Sequence, residues 1–340
     1  MPRLPQFNVS VVVVNYNCLA TLKNCIGSIL LSRSVDELVL IDNASTDGSM
    51  DLVKHSDPRL KIIRLNRNIG LAAARNLGAA KTRSWYLAFT DADVVVHPDW
   101  LQKPCSILYN NDNIGAVQCN IVRSRNLDKI AQEIENASEI GRNEISSKKL
   151  ASFRPILFSD GAGFVTRREA WELVEGFDPA FFVGNDDVDL GVRLWLSGYE
   201  VVRSAEGIVF HKFGTLRSKR EIAPIFKFYG LRNALSIWTK NLEIRTLLKQ
   251  VLPFTLLFPF MAFWIGGIVG VKGYVSFLRN LPSVLKKRYK VQQSRKISDD
   301  KILPMMHRTG TLPIQLFTSD FQVFYRYVIR RIEATTSNNL

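Results

Sequence analysis

Asp91-Ala92-Asp93 places two carboxylates one residue apart at the end of an apolar run, Trp85–Thr90. On an extended exit both can reach one hard cation. Mg2+ and Mn2+ take oxygen ligands and bridge substrate phosphates. Taken alone, the pair also reads as a solvated turn. Asp186 and Asp187 stand side by side, with Asp189 following. Adjacent carboxylates raise one another's pKa, and a general base needs a pKa not far below working pH. A helix starting there favours ionised acids, and simple N-capping is the better reading of a bare run of this kind. His211, ahead of Lys212-Phe213-Gly214-Thr215, can complete a metal site, with Gly214 allowing close approach of the chain; a lone histidine is otherwise structural. Asp42 opens the turn-rich stretch Asn43–Gly48 and can accept from a nucleobase N–H or hold an Asx turn. Arg75 offers a fork of donors to a diphosphate, or sits on a solvated face of an Ala-rich helix.

Positioning these groups requires a regular scaffold. Val9–Val14 is continuously apolar and β-branched, the pattern of a strand buried on both faces, and Asn15-Tyr16-Asn17 ends it. Leu19, Leu22, Cys25, Ile26, Ile29 and Leu30 then recur at helical spacing. Glu37–Ile41, Leu60–Leu65 and Trp85–Thr90 read as further strands, with a helix at Leu71–Lys81. Alternating strands and helices predict an α/β domain with a mostly parallel sheet, whose ligands bind beyond the carboxyl ends of the strands. Asn15–Asn17, Asp42 and Asp91–Asp93 all fall at such ends. Residues 123–155 read as helix and loop. Thr166 and Glu169 form a capping-box pattern, Gly198 follows a helix as its C′ residue, and Val201–Val202 and Ile208–Phe210 read as short strands.

The chain has 340 residues, hydrophobic 46% and charged 22%, which excludes a mainly disordered, collagen-like or coiled-coil protein. Cys18, Cys25, Cys105 and Cys119 form no CxxC pair and read as reduced thiols. Lys and Arg number 45 against 31 Asp and Glu, a net charge of +14 that favours an anionic partner. The opening MPRLPQFN is too short and polar for a signal peptide. Gln250–Val271 holds no charged residue; as helix it would span about 33 Å, against a bilayer core of about 30 Å. Pro253 and Pro259 interrupt it. Lys272, Arg279, Lys286, Lys287, Arg288, Lys290, Arg295 and Lys296 follow with no acid among them, so the tail prefers the cytoplasm. A hairpin or in-plane membrane element is expected over a single crossing. A buried helical pair in a soluble domain is the alternative.

In this order, VVVVNYN (11–17), LVLIDNASTDGS (38–49), NRNIGLAAARNLG (66–78), LAFTDADVVV (87–96), GAGFVTRREAWELVEGFDPAFF (161–182), DDVDLGVRLWLSGYEV (186–201) and HKFGT (211–215) resemble the family 2 glycosyltransferases of the GT-A fold. Phe228–Asn233 ahead of an apolar segment is most similar to rhamnosyltransferase-like, non-processive members. The Gln-x-x-Arg-Trp element of processive synthases does not occur. Residues 9–20 hold no glycine, unlike the early phosphate loop of a nucleotidyltransferase.

The resemblance, which covers about residues 8–240, implies a Rossmann-like GT-A domain over 1–240, and the apolar run followed by the basic tail predicts a helical, membrane-associated region over 241–340. It also implies inverting, metal-dependent transfer of a sugar from a UDP-, GDP- or dTDP-sugar to a hydroxyl of a glycan or polyprenyl-linked acceptor. That places the chain at the cytoplasmic face of the cell membrane with no nucleic acid partner. By the resemblance, Asn15, Tyr16 and Asn17 shape the nucleobase pocket, Asp42 accepts from the base, and Arg75 lies near the base or diphosphate. Asp91 holds the ribose and adjoins the metal, Asp93 and His211 bind Mn2+ or Mg2+, and Asp187 is the catalytic base beside Asp186. That family usually carries Glu-Asp where this chain has Asp186-Asp187. The competing class is a non-enzymatic basic protein binding nucleic acid or an anionic membrane.

Overall fold

The computed structural model describes residues 7–53, 57–140, 153–212 and 219–309. Strand β1 (Val9–Asn15) is buried along its whole length because it is paired on both edges and covered on both faces. Helix α1 (Leu22–Leu31) leads to β2 (Glu37–Asp42), and a 3-10 turn at Ser49–Leu52 leads to β3 (Leu60–Arg64). Helix α2 (Leu71–Ala80) then leads to β4 (Tyr86–Asp91) and the short β5 (Val94–Val96). Helix α2 lies close on β1 because Gly78 has no side chain: a Cβ there would stand 2.4 Å from Val12 Cγ1.

Helix α3 (Gln102–Asn110), β6 (Ile114–Ser124), α4 (Leu127–Ile140), β7 (Phe153–Pro155), β8 (Gly163–Arg167) and α5 (Arg168–Leu173) follow. The chain continues through α6 (Asp186–Leu196), β9 (Glu200–Lys212) and α7 (Lys219–Asn241). Beyond lie α8 (Ile244–Thr246), α9 (Leu252–Ser294) and α10 (Asp299–Thr309); α9 is two helical stretches joined across a kink at Gly267, whose backbone (φ 58, ψ −148) is non-helical.

The sheet order is β3-β2-β1-β4-β8-β6-β9-β5, with β7 beside β9. Strands β1 to β4 are mutually parallel, as expected, whereas β8 enters antiparallel between β4 and β6. Sequence reading placed no strand at β6 and split β9 in two. The two strands pair in parallel through register shifts, and those irregularities break the local pattern. The capping box at Thr166 does not form: Thr166 sits inside β8 and its Oγ donates to the Gly115 carbonyl at 2.9 Å. Gly198 is the C′ residue, at φ 92; its N–H reaches Trp195 O at 2.9 Å and Tyr199 N–H reaches Leu194 O at 3.0 Å, a Schellman closure.

On one face of the sheet Phe89 stacks on Phe164 and Trp171, with Phe177 edge-on. Leu190 and Leu194 of α6, Leu235 and Trp238 of α7, Phe277 of α9, and Ile302 and Met306 of α10 belong to this same core. No helix among the described residues is long and apolar enough to cross a membrane. Part of the basic tail is occupied internally: Lys287 pairs with Asp178, Lys290 with Glu175 and Arg295 with Asp299, while Arg288 donates to the Thr239 and Leu242 carbonyls.

A buried ion network fastens α7 to α6, and Lys287 of α9 joins it at Asp178 in the loop before α6. Lys240 Nζ lies 2.7 Å from Asp178 and 2.8 Å from Asp189, Arg193 pairs with Asp189 at 2.8 Å, and Asn241 donates to Asp189 at 3.0 Å. Burial alone would raise the Asp178 carboxyl; Lys240 and Lys287 outweigh it and hold that group well below the usual range. A carboxyl depressed on folding stabilises the native state above its unfolded pKa of about 4, and that contribution is lost as pH falls through the folded value. Lys240→Ala leaves Asp178 with Lys287 alone and Asp189 with Arg193 and Asn241, so the unfolding midpoint in urea at neutral pH should fall by the equivalent of about 1–3 kcal/mol. An unchanged midpoint would remove the network from the account of stability.

Candidate active site

Register brings the site together. In the parallel ladders Asn15 lies opposite Asp42, and Val14 opposite Asp91. The carboxyl ends of β1, β2 and β4 therefore open into one cleft, the place where α/β sheets bind ligands. Asn15 is buried; its Nδ2 donates to Ser45 Oγ and Ser49 Oγ, each at 2.9 Å, and its Oδ1 has no hydrogen-bond partner among the described residues. Asp42 Oδ1 accepts from Ser45 N–H at 3.1 Å, so the turn-holding role open to Asp42 is realised. Asn17, at φ 56, accepts from Thr46 N–H at 2.8 Å and ties the loop after β1 to the loop after β2. Tyr16 between them is 46% exposed, its ring available at the mouth of the cleft.

The second cluster forms where β5 pairs antiparallel with β9. Val94 lies opposite His211, and Lys212 N–H donates to Asp93 O at 3.1 Å. This register sets His211 Nε2 3.3 Å from Asp93 Oδ1. The hydrogen bond to Asp93 raises the imidazole pKa against the effect of burial. Ligand atoms of Asp91, Asp93 and His211 all lie within 4.8 Å of one another. Two carboxylates and an imidazole, each partly open to solvent, fit a hard divalent cation such as Mn2+. Phe213, Gly214 and Thr215 lie outside the described residues.

Arg75 joins this cluster to α6. Its Nη2 donates to Asp91 at 2.7 Å and to the Gly161 carbonyl at 3.1 Å, and its Nη1 donates to Asp186 at 3.0 Å. The side chain is 2% exposed, so the solvated-face reading is corrected: α2 turns this residue inward beneath β4. Burial opposes the guanidinium charge, and Asp91 and Asp186 outweigh it. Gly161 leaves room for the fork; a Cβ there would stand 2.5 Å from Nη2. Phe177 covers one face of the guanidinium, 5.3 Å from ring centre to carbon.

Asp187 follows at the start of α6. The N-cap is Asn185, at φ 62, which corrects the simple N-capping reading of the acidic run. Burial pushes the Asp187 carboxyl up to about 7, with the Asp186 charge adding to it. Asp186 is itself raised by burial and held against that by Arg75. The loop entering α6 is pinned from α7. Asn233 Nδ2 donates to Val183 O at 3.2 Å and Gly184 O at 2.7 Å, and Tyr229 stacks on Phe182 at 5.5 Å.

Sequence reading missed Asp160, whose charge acts on Asp91, Asp187 and His211 together. Its only sequence signal is its place beside Gly161 at the start of a block. It also left Asn233 without a role.

The family model described as glycosyl transferase family 2 matches residues 10–174. An uncharacterized glycosyltransferase of Nostoc sp. is 26% identical over 233 residues, covering 67% of each chain. The succinoglycan biosynthesis protein ExoO of Rhizobium meliloti is 29% identical over 217 residues, 60% of each chain. Over these stretches the chain is similar to glycosyl transferase family 2. Among solved structures, a mannosyltransferase from Pyrobaculum calidifontis, in complex with GDP-Man and Mn2+, aligns with TM-score 0.53 at 17% identity, over 99% of this chain and 88% of that one. The fold is thus GT-A-like.

Arg75→Met would leave Asp91 and Asp186 facing each other without their shared cation. Urea unfolding at neutral pH should show a loss of about 3–5 kcal/mol. The loss should shrink near pH 5, where the uncompensated carboxyls take up protons. Equal loss at both pH values would contradict the electrostatic reading.

Proposed function

We propose, on the premise of the family 2 match and the glycosyltransferase relatives, that this chain is an inverting, metal-dependent glycosyltransferase. It moves a hexosyl or rhamnosyl group from a UDP-, GDP- or dTDP-sugar to a hydroxyl of a glycan or polyprenyl-linked acceptor. The relationship to a succinoglycan biosynthesis protein supports a place in polysaccharide assembly, at the cytoplasmic face of the cell membrane. The observation that carries the reading is the division of labour in the cleft. Asp91, Asp93 and His211 converge as ligands, while Asp187, tied to them through Asp186 and Arg75, holds its carboxyl near neutrality.

In this reading Asn15, Tyr16, Asn17 and Asp42 hold the nucleobase, and Asp91 the ribose. Asp91, Asp93 and His211 would hold Mn2+ or Mg2+, which when bound neutralises charge on the diphosphate. Asp187 takes the proton of the acceptor hydroxyl as that oxygen bonds to the anomeric carbon. The bond from that carbon to the diphosphate oxygen breaks on the opposite face, so configuration inverts and no covalent sugar intermediate forms. Arg75 and Asp186 act as positioning residues: the fork is occupied by carboxylates, so its influence on the donor passes through Asp91.

A panel of nucleotide sugars assayed with manganese or magnesium tests this directly. Wild-type protein should release nucleoside diphosphate from one donor in a metal-dependent way, and silence with every donor would count against the reading. Asp187→Asn should lower transfer by about 10²–10⁴-fold while donor binding stays intact; normal transfer would remove Asp187 as the base. Asp93→Ala should weaken metal-dependent donor binding, measured by calorimetry. Because the base must be ionised, kcat should rise as pH rises through about 7 and then level off. A rate already level at pH 5 would contradict the assignment.

A further inference from the structure

Helix α9 carries two unlike faces. One is docked: Phe277 and Val284 are buried, and Gly273 approaches α7 so closely that a Cβ would stand 2.6 Å from Phe228 O. On the same side Arg288 donates to carbonyls at the end of α7. The other face is open. Ile268, Val275, Leu278, Leu285 and Tyr289 are exposed, Ile268 at 69% and Tyr289 at 66%. Their spacings of seven, three, seven and four residues keep them on one side of a helix of 3.6 residues per turn. Lys272, Arg279 and Lys286 are exposed along the edge of that stripe, and no acid occurs from 272 to 296.

We propose that this outer face of α9 seats the protein on an anionic lipid surface, with the helix lying in the membrane plane. An apolar stripe with a basic flank is the pattern that buries its side chains at the headgroup boundary while cations meet lipid phosphates. Charge complementarity selects lipid over a second copy, because a twofold contact through this face would bring its own cations together. The ion pairs and core contacts of the inner face keep α9 on the catalytic body, so the helix lies along the surface rather than through it. Helix α7 links the two: it packs on α9, and its Tyr229 and Asn233 hold the loop that enters α6. If the proposed transfer to a polyprenyl-linked acceptor holds, this brings Asp187 within one helix layer of the surface bearing that acceptor. The seating itself does not depend on that reading.

The test uses the full chain and sedimentation with vesicles, without any sugar donor. Vesicles of phosphatidylcholine with phosphatidylglycerol should bind the protein at low salt, and pure phosphatidylcholine should bind it weakly. The K272E/R279E/K286E variant removes about three favourable headgroup contacts and should lose about 100-fold in affinity for the anionic vesicles. The L278E/L285E variant should fail to sediment with either. Both alter exposed positions, so their unfolding midpoints should match wild type. The proposal is overturned if wild type ignores anionic vesicles, if both variants bind as wild type does, or if L278E/L285E turns a stable dimer into a monomer. Vesicle binding without any sugar transfer would sink the enzymatic reading and leave this one standing.

Discussion

The clamp of Arg75 between Asp91 and Asp186 is the interaction on which the cleft depends. Three parts of the chain would otherwise bring like charges together in a half-dry space: the end of β4, the start of α6 and the loop at Asp160. One guanidinium, planar and permanently charged, satisfies two carboxylates and a carbonyl at once. A lysine offers no such fork. The glycine at 161 and the phenylalanine at 177 then make sense as the space and the lid that this guanidinium needs.

The same clamp sets neighbouring acids apart. Asp186 is paired with Arg75, whereas Asp187, one residue on, faces the cleft with burial and a like charge acting on it. Burial raises both carboxyls; Arg75 works against it most directly at Asp186, while the Asp186 charge adds to it at Asp187. Asp189, two residues further, faces the opposite way and belongs to the network with Arg193 and Lys240. A single helical turn thus sends one acid to the clamp, one to the cleft and one to the core.

The helices after residue 219 form a wall of this site. Buried apolar residues of α7, α9 and α10 share a core with α6, and charged contacts reinforce the join. The basic excess of the sequence therefore divides in two. Some cations neutralise the chain's own carboxylates, and others line the outer face of α9.

The amino-acid order by itself determined the strands β1 to β4, the helix α2 and the strand-end location of Asn15, Asp42 and Asp91, because continuous β-branched runs and helical spacing are local signals. The resemblance to a family, and not any local signal, is what grouped Asp91, Asp93, Asp187 and His211 as an expected chemical set. The tertiary structure alone decided that Arg75 faces inward, since its partner Asp186 lies 111 residues away and no local pattern reports such a pair. It likewise decided the antiparallel entry of β8, the single long β9 that carries His211 to Asp93, and the place of Asp160. These depend on pairing partners distant in the chain, and pairing between distant segments is settled by packing, not by the propensity of either segment.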